Sequence, residues 1–408
     1  MNAGMGKRRN GGGGGWFARA AVLTVLLAGA CAAADLDAPA MVKLLDTYEW
    51  FPLHDAIAAG AHPPLFVRGA MACIFNDTRH CQKDMEHFVR TKAPAFDIQR
   101  AHDLLTFLYA RTGRFGPALE HRQAMRRHLE NPPPVDELLS FFSAFHEFPE
   151  MSVAAFRPST IQCERPVEKL EVPVTINGKP AKYILDTAAD ISFATESEAE
   201  RLGLRFAARA CGGAVDYSEK VLDARCAVAD SLELGGIRLR NVPFLVVRRP
   251  DGPASLVFQG LIGLEPLLAC KTVSWNKEGV LRLGYRDRPR AARANLYLDE
   301  MHLIVRTRYG NRDLAFVLDS GGGIGTRVYQ RFAGEFRDVV NAAGKPERVV
   351  ESGMGGDQDF DVPVLTDLAL EVGGFRAVVP KAPLLPLGEG QDQVERFDHA
   401  STFASGSS

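Results

Sequence analysis

Apolar positions along the chain change their spacing between its first and later parts. Between residues 36 and 150 they recur at helical intervals, and strand-type alternation is rare. Ala101-His102-Asp103-Leu104-Leu105-Thr106-Phe107-Leu108-Tyr109-Ala110-Arg111-Thr112-Gly113 is amphipathic and ends on glycine, and Phe115, Ala118, Leu119 and Met125 continue as a second helix. Pro132-Pro133-Pro134 breaks the region, after which Phe141, Phe142, Phe145 and Phe148 predict a last apolar helix face. A linker is expected near Pro149 to Pro158. From Glu171 the texture becomes short apolar runs between turns. Val172–Ile176 leads into Asn177-Gly178, a strong hairpin signal. Thr195 to Leu204 reads as one short helix with Gly203 at its end, and strands follow at Leu232–Leu234 and Val242–Val247. In Phe258-Gln259-Gly260-Leu261-Ile262-Gly263-Leu264, glycines between apolar residues predict a strand in close backbone contact with another segment. Val273–Asn276 and Val280–Leu283 make a closing hairpin, and Asp287 to Arg293 is a charged connector.

The β region repeats itself. Tyr183-Ile184-Leu185-Asp186-Thr187-Ala188-Ala189-Asp190 is echoed by Ala315-Phe316-Val317-Leu318-Asp319-Ser320-Gly321-Gly322-Gly323. Each is a buried strand running into a tight loop, with Asp at the exit. Asp319 follows Asp186 by 133 residues, and Gly310 follows Asn177 by the same 133. Further on, Asp230–Arg238, with Gly235-Gly236, is echoed by Asp367–Arg376, with Gly373-Gly374. A long self-similar unit takes precedence over local signals. The expected fold class is therefore α+β, mainly β: two related β lobes behind a small α-helical, repeat-like domain. The expected boundaries are 35–158 for the helical domain, 165–286 for the first lobe, 294–398 for the second, incomplete lobe, and 399–408 for a disordered tail.

At 408 residues the chain is long enough for such domains, and a net charge of −2 gives no case for nucleic acid or an anionic membrane surface. Its start reads as a targeting segment over residues 1–34: basic Lys7-Arg8-Arg9, an apolar stretch from Ala20 to Gly29, and Ala32-Ala33-Ala34 at the cleavage point. The expectation is export to the periplasm or medium, with lipid anchoring at Cys31 the weaker alternative. Cleavage after Ala34 leaves six of the seven cysteines. Spacing suggests three bridges: Cys73 with Cys81, Cys211 with Cys226 around a hairpin, and Cys163 with Cys270. Six buried thiols are the other reading. No Cys-x-x-Cys occurs and the histidines are scattered, so no metal or cofactor is expected.

The residues around Leu104–Ala118 resemble one unit of a tetratricopeptide-type repeat, with Gly113 at the turn. That resemblance implies a helical platform for a protein partner; a cap packed on the β lobes is the plainer reading. Ile184-Leu185-Asp186-Thr187-Ala188-Ala189, Val317-Leu318-Asp319-Ser320-Gly321-Gly322 and Leu261-Ile262-Gly263 resemble the aspartic peptidase superfamily, above all the retropepsin-like proteins of bacteria. The resemblance covers roughly residues 165 to 398. It implies two acid-protease-like lobes and an aspartic endopeptidase that acts on a peptide or protein substrate. Asp186 and Asp319 would share one proton and activate water. Thr187 and Ser320 would bond across the two loops, Ala188 and Gly321 would follow them in the turns, and Gly263 would end a strand beside the first loop. A hairpin flap around Gly212, Gly213 and Tyr217 would close over an extended substrate. Asp190 reads as a turn cap.

Two departures from the family pattern favour a non-catalytic peptide- or protein-binding scaffold as the alternative. Ala188 stands where the family has glycine. After Asp398 the chain reads His399-Ala400-Ser401-Thr402 in place of the family's closing apolar-apolar-Gly. A third arrangement is a homodimer in which two first lobes pair their copies of Asp186.

Overall fold

The computed structural model describes residues 36–164, 169–212, 214–215, 221–247, 259–276, 278–286, 293–321, 326–343, 346–353, 356–386 and 399–401. These fall into two compact units divided between Val67 and Arg68. The first holds α1 (Ala38–Asp46) and α2 (Trp50–Ala58). Asp37 starts α1, its carboxylate accepting the Ala40 N–H at 2.9 Å. The Trp50 indole N–H donates to the Leu45 carbonyl, also at 2.9 Å.

The chain enters the second unit within α3 (Leu65–Ile74), followed by α4 (Thr78–Phe88), α5 (Ala95–Ala110), α6 (Phe115–Arg126) and α7 (Glu137–Phe145). The Cys73–Cys81 disulfide, with Cα atoms 4.6 Å apart, ties α3 to α4. The turn between α5 and α6 passes through Gly113 at φ +69°, a left-handed conformation that favours glycine. Fully buried Ala118 lies on α6. The expected phenylalanine face forms: the Phe115 ring lies 4.8 Å from Phe145 and 6.2 Å from Phe142. Phe148 departs from it and carries the Arg205 guanidinium on its ring.

Where a linker was expected, β1 (Ser152–Phe156) and β2 (Ser159–Gln162) join the sheets of the first lobe. The lobe continues with β3 (Glu171–Ile176), β4 (Lys179–Leu185), β5 (Ser192–Thr195), α8 (Glu196–Leu202), β6 (Arg205–Phe206), β7 (Ala214–Val215), β8 (Val221–Leu222), β9 (Ala224–Leu234), β10 (Ile237–Val247), β11 (Gly260–Ile262), α9 (Leu264–Ala269), β12 (Val273–Trp275) and β13 (Val280–Leu283). The main sheet runs β1-β10-β5-β11-β4-β3-β9-β6, and β10 also pairs with β9. That second pairing closes β10, β5, β11, β4, β3 and β9 into a barrel, which removes their edges. Val172, Val174, Ile176, Leu185, Leu232, Leu239, Phe244 and Ile262 fill its core.

The second lobe holds β14 (Leu296–Asp299), β15 (His302–Tyr309), β16 (Arg312–Leu318), α10 (Gln330–Glu335), α11 (Arg337–Asn341), β17 (Glu347–Gly353), β18 (Gly356–Val362), β19 (Val364–Val372), β20 (Phe375–Pro383) and β21 (His399–Ser401). Its order β20-β19-β15-β16-β21 repeats the order β9-β3-β4-β11 of the first lobe, with β20 in the place of β10. The register repeats as well. Leu261 and Ile262 pair in parallel with Ile184 and Leu185, and Ala400 and Ser401 pair in parallel with Val317 and Leu318. His399–Ser401, expected in a disordered tail, are therefore the second lobe's counterpart of β11.

The Cys211–Cys226 disulfide forms, with Cα atoms 5.3 Å apart. The third expected bridge does not: Cys163 and Cys270 are free and buried. Both lie in the first lobe's apolar core. Burial pushes the Cys163 thiol up to about 11 and the Cys270 thiol up to about 12. Neither then supplies the thiolate that disulfide exchange requires at neutral pH. Mapping of a non-reduced digest should recover Cys73–Cys81 and Cys211–Cys226 as linked peptides. Cys163 and Cys270 should alkylate only once the protein is unfolded; a linked Cys163–Cys270 peptide would contradict the structure.

Candidate active site

Two loops meet at the ends of β4 and β16. Asp186 follows Leu185 and Asp319 follows Leu318, so each aspartate leaves a buried strand at its last residue. The next residue in each loop is a hydroxyl, and the two hydroxyls bond reciprocally. The Thr187 N–H donates to Ser320 Oγ at 3.1 Å, and the Ser320 N–H donates to Thr187 Oγ1 at 3.0 Å. Each hydroxyl then donates across to the carbonyl before the opposite aspartate: Thr187 Oγ1 to Leu318 O at 2.6 Å, and Ser320 Oγ to Leu185 O at 2.8 Å. Four hydrogen bonds related by the internal repeat thus lock one loop to the other.

The aspartates are held by their own turns. Asp186 Oδ1 accepts the Ala188 N–H at 2.9 Å and the Ala189 N–H at 3.2 Å, and Asp319 Oδ1 accepts the Gly321 N–H at 2.9 Å. A side chain at Gly321 would overlap the Asp186 carboxyl group, so the second loop closes directly onto the first aspartate. Burial pushes Asp186 up to about 7, and the nearby charge of Asp319 adds to the rise. Hydrogen bonds from Ala188 and Ala189 oppose it.

The strand β11 supports the first loop from behind. The Asp186 N–H donates to Ile262 O at 2.9 Å. A Cβ on Gly263 would stand 2.5 Å from the Ile191 carbonyl carbon and 2.7 Å from the Ser192 nitrogen, so only glycine allows that approach. The Gly263 N–H donates to buried Ser192 Oγ at 3.1 Å, and the Leu264 N–H donates to Ala189 O at 2.9 Å. Ser192 is a supporting residue that sequence reasoning missed; a serine inside an apolar strand was its only signal. Glu265 was also missed. It is buried beside Asp190, and burial together with the Asp190 charge holds its carboxyl well above the ordinary carboxylate range. Asp190 itself is exposed and interacts with His302.

Ala188 is not among the residues with positive φ, so its methyl group meets no left-handed strain. Gly212 lies at φ +79° beside Glu137 of α7. The hairpin β7–β8 follows it, pairing Ala214 with Leu222 and Val215 with Val221, and the Cys211–Cys226 disulfide spans its base. Gly213 and Tyr217 lie outside the described residues. Among the described residues no His, Cys, Asp and Glu cluster is arranged to hold a metal ion.

Residues 172–265, from β3 to the start of α9, match the family model described as aspartyl protease, which bears out the resemblance read at Asp186 and Gly263. Three solved structures are similar to parts of the chain. A retropepsin-like aspartic protease from Rickettsia conorii is 21% identical, covers 32% of this chain and 93% of its own, and has a TM-score of 0.23. The aspartic proteinase from Irpex lacteus is 12% identical, covers 60% and 90%, and has a TM-score of 0.35. The retroviral protease-like domain of Ddi1 from Leishmania major is 20% identical, covers 33% and 97%, and has a TM-score of 0.22. No curated protein matches. The tetratricopeptide likeness of the helical region finds no support among these findings. The family match supports a peptidase-type function for the lobe that carries Asp186.

The interloop lock makes a specific prediction. Thr187→Val removes a donor and an acceptor, leaving the Ser320 N–H and the Leu318 carbonyl short of partners. It should destabilise the protein by roughly 2–4 kcal/mol, whereas Ser192→Ala, which strands only the Gly263 N–H, should cost about 1–2 kcal/mol. Denaturant unfolding that left Thr187→Val within error of the wild type would show that the lock carries no stability.

Proposed function

We propose that the chain is an aspartic endopeptidase that hydrolyses peptide bonds through a water held between Asp186 and Asp319. The observation that carries this reading is the reciprocal Thr187–Ser320 lock, which holds two aspartates from separate lobes on facing loops. Two such carboxyls cannot both ionise easily, so the pair keeps one proton and titrates as a unit. The rise of Asp186 to about 7 fits that state. The charged carboxylate takes a proton from the water, whose oxygen attacks the scissile carbonyl carbon. The protonated carboxyl donates to the carbonyl oxygen, and the leaving amine is then protonated from the pair.

Both departures from the family pattern lose weight. Ala188 is free of left-handed strain, and β21 pairs with β16 in the register that β11 keeps with β4. Ser320 already makes the contacts that a second copy of Thr187 would have to make, which favours a pair within one chain over a dimer of first lobes. Two disulfides fit export into an oxidising compartment; residues 1–34, including Cys31, lie outside the described residues. The substrate would be an extended peptide or protein segment, bound through its backbone.

The test is cleavage of a peptide library by the purified chain from acid to neutral pH. Asp186→Asn and Asp319→Asn should each lower kcat/KM by roughly 10²–10⁴-fold. Loss with Asp186→Asn but full activity with Asp319→Asn would move the pair to a dimer of first lobes. No cleavage at any pH by a folded chain would favour a binding scaffold. In the wild type, kcat/KM should fall as pH rises through about 7, where the shared proton leaves. Stability should follow the same group. The folded state holds a proton on Asp186 that the unfolded chain loses above its ordinary 3.8, so stability falls as pH rises from 3.8 through about 7. Asp186→Asn should therefore melt higher than the wild type at neutral pH, by about 2–4 °C.

A further inference from the structure

The internal duplication gives the strands of the second lobe counterparts in the first, and among the described residues one strand is without its counterpart's neighbour. In the first lobe β1 covers the outer edge of β10: Ser152 pairs with Arg240, Val153 with Leu239, Ala155 with Arg238 and Phe156 with Ile237. Gly235-Gly236 before β10 matches Gly373-Gly374 before β20, so Ile237–Arg240 correspond to Phe375–Val378. β20 is the end strand of its sheet, and over Phe375–Val379 it pairs, among the described residues, only with β19. Ile237 is 1% exposed in the first lobe's core, against which Phe156 of β1 packs; Phe375 is 71% exposed and Val378 41%. An uncovered edge with exposed apolar side chains is a template for another strand.

We propose that this edge pairs antiparallel with the same edge of a second copy of the chain, about a two-fold axis through Ala377. The register follows from the backbone. Val372 and Phe375 flank the two-residue turn and pair with each other, so the N–H and C=O groups of Phe375, Ala377 and Val379 face β19. Those of Arg376 and Val378 face outward. Three antiparallel self-pairings bring outward groups together. A centre at Arg376 sets two guanidinium side chains directly opposite, which is destabilising. A centre at Val378 sets Arg376 against Pro380, which has no N–H to give. A centre at Ala377 sets Arg376 against Val378 of the second copy, twice over, and all four outward N–H and four outward C=O groups of these residues are used in a ladder of four hydrogen bonds. It also lays Phe375 against Val379 of the second copy. Arg376 keeps Glu371 as its cross-strand neighbour within its own sheet. Beyond Val379, Pro380 and Lys381 end the usable edge, so the contact closes at two copies instead of propagating. The paired stretch is short, and a reversible, concentration-dependent dimer follows.

The proposal is independent of catalysis and is tested on the purified full chain. Sedimentation across a concentration series should show a shift from monomer to dimer. Val378→Pro removes an outward N–H and no bond to β19, and should raise the dissociation constant about tenfold or more. Across the axis Ala377 meets its own copy as a non-hydrogen-bonded pair, with Cα atoms about 4.5 Å apart, within disulfide reach. Mild oxidation should therefore link Ala377→Cys into covalent dimers while Arg376→Cys, which meets its copy only diagonally, stays largely monomeric. Equal linking of the two variants, or a wild type monomeric throughout, would overturn the proposal. Hydrogen exchange on the wild type gives a readout without substitution: the Arg376 and Val378 amides should slow as concentration rises. Protection independent of concentration would mean that the same chain covers the edge. Binding of a Ser152–Phe156 peptide to a chain that never self-associates would assign the edge to a different strand partner. Either result would overturn the proposal.

Discussion

The structure depends on the four hydrogen bonds between the Thr187 and Ser320 loops. Each hydroxyl accepts from the opposite loop's N–H and donates to the opposite loop's carbonyl. The backbone groups they satisfy are those of Thr187 and Ser320 themselves and of Leu185 and Leu318, the residues flanking the two aspartates. Docking of the lobes takes these groups out of water, and the opposite loop supplies the partners that replace it. The same contacts bring Asp319 close enough to raise Asp186. Association of the lobes and the raised Asp186 carboxyl are thus two consequences of one arrangement.

The parts of this arrangement legible in the sequence are those that repeat. The apolar run, Asp and hydroxyl recur at a spacing of 133 residues, and both copies land on equivalent strand ends. The Asn177-Gly178 turn forms where its residues demand it, both at positive φ. The phenylalanine face of α7 and the helix break at Gly113 were legible from spacing alone. What escaped notice has weaker local signals. β21 is three residues, His399-Ala400-Ser401, with no apolar alternation; its pairing is set by β16, far away in sequence. β1 and β2 lie beside prolines and serines that read as a linker, and their pairing partners β10 and β13 lie some eighty to one hundred and twenty residues on. The even count of cysteines suggested a third bridge, yet Cys163 and Cys270 serve as small apolar core residues.

The two lobes share an order of strands but not an equal closure. In the first, the β9–β10 pairing closes a barrel, β1 covers part of β10, and Gly263 and Ser192 seat β11 behind Asp186. In the second, an isolated parallel bridge from Val328 to Leu384 stands, among the described residues, where β5 pairs with β10. A Cβ at Gly263 would collide with the Ile191 and Ser192 backbone. The first lobe thus requires glycine at that position. A duplicated fold need not keep every constraint in both copies, because each lobe is stabilised by its own core and by the lock it shares.

This division also bears on where the protein can carry destabilising groups. Burying Asp186 beside Asp319 favours a proton on the pair and costs stability at neutral pH. Glu265 adds another buried carboxyl close by, and its Oε2 has no hydrogen-bond partner among the described residues. The cost at the aspartates belongs to the pair and so to both lobes, whereas that of Glu265 falls on the lobe with the closed barrel. A closed barrel is a physically reasonable place for the Glu265 cost, since a group that opposes stability needs a surrounding structure with stability to spare. The second lobe contributes Asp319, Ser320 and the close approach of Gly321, whose geometry is fixed from across the interface. The electrostatic cost at the aspartates belongs to the pair, and the hydrogen bonds that fix the pair come from both lobes.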